Sequence, residues 1–378
     1  AAWLAEIVHY LQTLPGLLAM TEEERAASLS FDSDAVSRRS EVEIQRNQRL
    51  GDSLRLVYGG SLRRDEVEAP GYMVGRSPQD NHVYRLFGHA EWRFAENLLL
   101  NGGAMYEDND ITGSDLSPRL ALLYRHSPRS VWRLGYSRAT RTPALFERYA
   151  NMQIDIDVPA ALPTFDGDDQ LTLFEIVASG GLEPETIEAW ELGYRFTPPD
   201  SGAYFDLKLF REEIDDLIDT THGEVLAEDD FNEASSTYIN HRGAMIAGAE
   251  IEASVPTGPR TSLRLGYAYA NVWEAVRDAS SLPSQSLSLM LLHRPTPADT
   301  LSAEYYHVSD MAWMDASERF DMISLNRLDL HYAHRFRWHG ADARFSLQLE
   351  NLIEKYSEYF IENVRHPMLY ARISVDLH

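Results

Sequence analysis

The chain has 378 residues, of which 44% are hydrophobic and 25% charged, with 59 acidic against 34 basic side chains and a formal net charge of −25. That balance excludes the basic footprint that nucleic-acid recognition needs, and the absence of cysteine excludes disulfides and thiolate metal sites. No run approaches the roughly 18 apolar residues of a membrane-crossing helix, which leaves open a β-barrel, whose strands are only half apolar.

Residues 1–38 form the first unit. Leu4, Ile7, Val8 and Leu11 have helical spacing, and Thr21 with Glu24 fits a capping box, so short helices within a loop are expected. The opening "AAWLAEIVHYLQTL" lacks a charged leader and a cleavage pattern and does not read as a signal peptide.

Residues 39–378 form the second unit, in which side-chain character alternates with a period of two. In "LRLVYGGSL", Leu54, Leu56, Tyr58 and Leu62 share a face. Tyr84, Leu86, Ala90, Trp92 and Phe94 oppose Arg85, Phe87, His89, Glu91 and Arg93. The pattern returns in "WELGYRF" (190–196), "LRLGYAY" (263–269), "RFSLQLE" (344–350) and the closing "ARISVDLH". About fifteen such segments of roughly 9–12 residues fit tilted membrane strands.

Short connections, rich in Pro, Gly, Asp and Asn, alternate with long ones at about 66–81, 107–117, 141–185, 214–239, 271–284, 309–325 and 353–368. Antiparallel neighbours then put all the short turns at one end and all the long loops at the other, as in outer-membrane barrels. The polar faces carry too many charges for a dry core, so the apolar faces are expected to meet lipid and the polar faces a wide lumen. Trp92, Phe94, Trp132, Phe196, Phe336 and Trp338 lie near the short turns, where an interfacial girdle belongs. Most of the 19 tyrosines suit such a belt, and some could meet a catecholate or other aromatic ligand.

No catalytic constellation stands out, and no enzyme activity, cofactor or metal site is expected. In the longest loop, Asp166, Asp168 and Asp169 have part of a calcium-loop spacing, but the closing bidentate Glu is missing and Glu175 is too loosely placed to replace it. Phe165 and Phe174 make the same segment a candidate apical loop that traps ligand. His331 and His334, three apart on a strand, point to opposite faces and do not make a metal pair. His222 and His366 read as solvated loop residues.

The stretch "YSRATRTPALFERYA" (136–150), followed by "GLEPETIEAWELGYR" (181–195), "FDLKLFREEIDDLI" (205–218) and "YINHRGAMIAGAEIEASV" (238–255), resembles the C-terminal barrel of TonB-dependent outer-membrane receptors. The final 36 residues are similar to that family's closing strands, with "LENLIEKY" (349–356) in place of its Asn-Leu-Phe-Asp-Lys-Tyr pattern. The resemblance covers about nine-tenths of the chain. It implies a transmembrane antiparallel barrel of 22 strands, in the outer membrane of a Gram-negative cell, around an N-terminal plug. It also implies uptake of a scarce nutrient, most often a ferric siderophore and otherwise haem, cobalamin or a carbohydrate, energised through the TonB complex.

On that pattern this chain would be a fragment: about fifteen of 22 strands, with the plug and first strands absent and a start within an extracellular loop. Alone it could not close, because unpaired backbone in lipid costs several kcal/mol per group. Family barrels end in Phe or Trp, so one more residue, an aromatic, is expected after His378; a stop codon directly following it would refute this. Haem receptors of the family this chain resembles tend to carry a His between the first two stretches quoted above; none lies between Phe146 and Leu182, so the resemblance disfavours haem. A passive outer-membrane pore or another barrel protein is the alternative, and a soluble all-β protein a weaker one.

Overall fold

The structure, a computed structural model, describes residues 34–157, 170–199, 201–221, 235–241, 243–273, 282–311, 323–357 and 364–376. The expected helices and capping box within 1–33, together with Phe165, Asp166, Asp168, Asp169, His222 and Leu377, lie outside the described residues.

Fifteen strands form one antiparallel sheet. The first six are β1 (Val36–Leu50), β2 (Leu54–Glu68), β3 (Gln79–Ala95), β4 (Leu98–Asn109), β5 (Gly113–Ser127) and β6 (Ser130–Arg141). Short strands β7 (Asn151–Asp157) and β8 (Gln170–Val177) interrupt before β9 (Glu185–Phe196) and β10 (Tyr204–Asp215). After β11 (Leu217–Thr221) and β12 (Ser235–His241), the sheet resumes with β13 (Ala244–Gly258), β14 (Thr261–Trp273), β15 (Gln285–His293), β16 (Asp299–Met311), β17 (Ile323–Trp338) and β18 (Ala341–Glu350). The strand pair β19 (Tyr356–Ser357) and β20 (Val364–Arg365) precedes β21 (Met368–Asp376), which pairs with β18 as the expected final hairpin. Neighbours in the sheet follow chain order throughout, and β1 and β21 are its two ends.

Seven connections, 51–53, 96–97, 128–129, 197–203, 259–260, 294–298 and 339–340, lie at one end of the sheet. The other seven, 69–78, 110–112, 142–184, 216–243, 274–284, 312–322 and 351–367, lie at the opposite end. One of these departs from expectation: the loop read at 107–117 is a turn of three residues. Asn109 is the reason, because its side-chain Oδ1 accepts from the backbone N–H of Ile111 (3.0 Å) and Thr112 (2.9 Å) and from the Thr112 hydroxyl (3.2 Å). An Asn that satisfies the turn's donors lets β4 and β5 pair out to Asn109 and Gly113.

The register decides what each face presents. Leu100, Leu122, Leu134, Leu192, Leu209, Ala249 and Tyr269 stand opposite one another across seven strands. Leu301, Tyr332, Leu347 and Ala371 continue an apolar row across four more. On the reverse face, Arg133, Gly193, Lys208 and Glu250 form a polar row. The two faces invert the rule of a soluble protein. Leu86 and Ile373 are each 67% exposed, whereas the side chains of Glu107 and Asp206 are only 15% and 17% exposed and are held by Arg85 and Arg133. Charged groups crowd on the inner side of the sheet while apolar ones splay on the outer side, which is what a bilayer outside and water inside require.

Glycine on the inner face makes room for large neighbours. A Cβ on Gly248 would lie 2.7 Å from the Phe210 ring and 2.1 Å from the Tyr269 carbonyl oxygen, and one on Gly193 would lie 2.7 Å from the Arg133 guanidinium. Each large side chain belongs to the direct cross-strand partner of its glycine and occupies the space a Cβ would need.

Candidate functional site

The most buried part of the molecule is not the wall but a layer built from the long connections. Ala150, Met152, Ile176 and Ala178 form one cluster, and Met73, Ile111 and Leu145 a second. Tyr72 and Phe146 pack against both. Most large apolar side chains of the wall are exposed, and among the described residues the buried hydrophobic clusters form where loops fold on loops.

Two of these loops share a four-stranded sheet, in the order β11–β12–β8–β7. Its junction is the parallel pairing of Ser235 and Ser236 with Glu175 and Ile176. Phe174 lies on β8, paired through its backbone with Ile154. Backbone hydrogen bonds tie 69–78 to the same sheet, Asn151 N–H to the Tyr72 carbonyl (3.1 Å) and Val74 N–H to the Asn151 carbonyl (2.9 Å). Arg76 Nη1 then donates to the carbonyls of Ala150 (3.2 Å) and Ala178 (3.3 Å). Asn240 joins the two longest loops: its Nδ2 donates to the carbonyls of Glu183 (2.9 Å) and Asp216 (2.7 Å), and its Oδ1 accepts from Glu183 N–H (2.8 Å).

The two sequence boxes that carry the family resemblance meet in space. Pro143 and Ala144 lead into helix α1 (Leu145–Tyr149), whose start is fixed by Ala144 N–H donating to Glu147 Oε2 (2.7 Å). Arg141, the last residue of β6, grips Glu147 through Nη1 (3.0 Å) and Glu185, the first residue of β9, through Nη2 (2.7 Å) and Nε. Glu185 also accepts from Ile218 N–H (2.8 Å). One guanidinium thus ties together the root of the longest loop, its helix, its return strand and the start of β11. Sequence reasoning quoted both boxes but did not single out Arg141, Glu147 or Glu185; the signal was the Arg-Thr-Pro and Leu-Glu-Pro-Glu stretches at the two ends of one loop.

A second clamp closes the last long connection. Asn351 is 2% exposed and adopts a left-handed φ of 59°, a conformation Asn tolerates. Its N–H donates to Asp329 (2.9 Å) and its Nδ2 to the Arg365 carbonyl (3.0 Å), while Arg327 holds Asp329 at 2.6 Å. This is the Asn of the "LENLIEKY" stretch.

Burial pushes the Tyr238 hydroxyl, which lies in the loop layer, above its ordinary value, and Glu147 adds to the effect. Asp110, in the turn after β4, is held below the usual carboxylate range by the backbone N–H and the ring of His82. His331 and His334 have opposite parity in β17 and pair with different partners, Ser302 and Asp299. Among the described residues no group of His, Asp or Glu is arranged to hold a metal ion. Nor is any described helix long and apolar enough to cross a membrane, which says nothing of strands. What the arrangement offers is a wall with an ionised inner face and a braced loop layer over one mouth, suited to capturing and passing a solute.

The comparisons agree with that geometry. The family profile described as TonB dependent receptor-like, beta-barrel matches residues 12–352. No curated protein sequence matches the chain. Among solved structures, a mutant of the ferric enterobactin receptor PfeA of Pseudomonas aeruginosa superposes with a TM-score of 0.67 at 16% identity, over 85% of this chain and 49% of that one. The siderophore receptor PirA of the same organism gives 0.67 at 14% identity, over 91% and 57%. The FrpB iron transporter of Neisseria meningitidis gives 0.60 at 12%, over 85% and 51%. The chain spans about half the length of these structures, and identities this low establish the fold alone.

Proposed function

Since this chain belongs to the TonB-dependent receptor β-barrel family, we propose that it is the wall and loop portion of an outer-membrane receptor that imports a scarce nutrient, with a ferric siderophore as the favoured substrate. In this reading the long loops catch the ligand outside the cell, the ionised inner face lines its path, and a plug domain elsewhere in the protein closes that path and couples it to TonB and the inner-membrane proton gradient. The observation that carries it is the inversion of the two faces, apolar outside and ion-paired inside, beneath a braced loop layer at one mouth. The favoured substrate is supported by neighbours whose own names are those of siderophore receptors and an iron transporter.

The test is uptake of a labelled ferric chelate by cells expressing the full-length protein, with and without a protonophore. Import that stops when the gradient collapses supports the reading. Gradient-independent import, together with a large open conductance of the purified protein in planar bilayers, would replace it with a passive pore.

A further inference from the structure

Along much of the inner face, cations are paired. Arg85 is held by Glu107, Arg133 by Asp206, Arg327 by Asp329 and Lys208 by Glu250. The pairing fails at the end of the sheet that carries the short connections. There the turns 259–260 and 294–298 enclose a cleft of about 400 Å3, lined by Arg260, Arg294, Thr296 and three prolines, Pro256, Pro259 and Pro297. Among the described residues no Asp or Glu lines it. It opens on the inner side, because Pro256, Ser262 and Leu292 stand opposite one another on the face that carries Glu250 and Gly266.

Arg260 and Arg294 are neighbours across the β14–β15 pairing, since Thr261 pairs with His293 and the Arg294 N–H donates to the Arg260 carbonyl (2.8 Å). Like charges side by side on adjacent strands are destabilising unless a counter-charge lies between them. The protein supplies none here. Arg260 Nη1 donates to the Pro295 carbonyl, and among the described residues the Arg294 guanidinium has no partner. Asp299, the acid that follows the turn, is committed on the other face: it accepts from the Thr296 hydroxyl and the Tyr332 hydroxyl (2.8 Å), and His334 Nδ1 lies 2.8 Å away.

The cleft is ordered before any ligand arrives. Its prolines restrict the backbone. Thr296 Oγ1 accepts from the N–H groups of Ala298 and Asp299 (both 3.1 Å), and Arg335 Nη2 donates to the Pro297 carbonyl (2.6 Å). A site so arranged loses little freedom on binding.

We propose that this cleft binds a soluble phosphate-bearing anion. Two guanidinium forks with no acid between them require a dianion with oxygens on more than one side, which a phosphate group presents and a single planar carboxylate does not. The opening on the inner side puts the ligand in water, so it is a solute and not a membrane phospholipid.

The experiment titrates inorganic pyrophosphate calorimetrically into the full-length protein held in phosphatidylcholine nanodiscs, beside the variants R294Q and R260Q/R294Q. Pyrophosphate is expected to bind saturably, at least about tenfold more weakly in R294Q and without detectable heat in the double variant. Acetate should not compete, and raising salt from about 0.05 to 0.5 M should weaken binding several-fold. An unchanged folded band on a gel shows that the wall of each variant is intact. Absence of saturable heat in the parent, or equal affinity in R260Q/R294Q, overturns the proposal. Binding lost when phosphatidylglycerol replaces part of the phosphatidylcholine would assign the cleft to a lipid headgroup and overturn the solute. None of these outcomes bears on chelate import, which stands or falls by its own test.

Discussion

At the scale of the single residue, the side chains that matter most hold loops rather than reach for a ligand. Arg141 makes charge-assisted bonds to two carboxylates. Because it is partly exposed, Arg141→Ala should cost about 1–2 kcal/mol rather than the full value of a buried pair. Limited proteolysis of the loops on intact cells should quicken in that variant, with Arg141→Lys recovering only part of the protection, since an ammonium cannot form the fork. Tyr238 gives a pH dependence. Its hydroxyl ionises less readily in the folded loop layer than in the unfolded chain. Its contribution is therefore complete below pH about 10 and is lost as pH rises through the higher folded value. Protease access to the loops should increase there in the parent and shift little with pH in Tyr238→Phe. The sequence carried Arg141 and Glu185 in plain view, inside stretches that resemble the family. What it could not show is that residues 44 positions apart in the chain share one guanidinium, because a contact across a long loop leaves no periodic trace.

At the scale of the element, alternation fixed the strands, and pairing fixed their meaning. Each strand has an apolar and a polar side in sequence, but a one-residue slip would exchange them. The continuous rows from Leu100 to Tyr269 show that no such slip occurs over seven strands. Orientation is directly testable, because these 378 residues contain no cysteine, so an introduced thiol is unique within them. Leu192→Cys should be silent to a membrane-impermeant maleimide and reactive to a lipid-soluble one, and Ser288→Cys the reverse. Leu192→Arg should cost about 2–4 kcal/mol of barrel stability near the bilayer midplane, read as a lowered temperature for loss of the folded band on a gel. Gly248→Val should also lower that temperature, by about 1–3 kcal/mol, since its side chain would collide with Phe210 and the Tyr269 carbonyl. The one loop that shrank, 110–112, did so through Asn109, whose amide completes a turn that composition alone presents as a longer polar stretch.

At the scale of the whole molecule, the connections at the two ends of the sheet differ in length. An epitope inserted between Asp229 and Asp230 should be accessible to antibody on intact cells, and one inserted between His339 and Gly340 only after permeabilisation; the opposite pattern would reverse the direction of the wall. Period-two alternation and the short-long rhythm of the connections are local properties. The amino-acid sequence by itself therefore determined an all-β wall of about fifteen strands and its two kinds of face. Whether Glu107 and Asp206 would be solvated singly or paired, which loops would share a sheet, and where a dry core could exist depend on groups distant in the chain. Only the tertiary structure decided these, because a wall that is wet on one side and lipid-facing on the other leaves burial to the place where separate loops happen to meet.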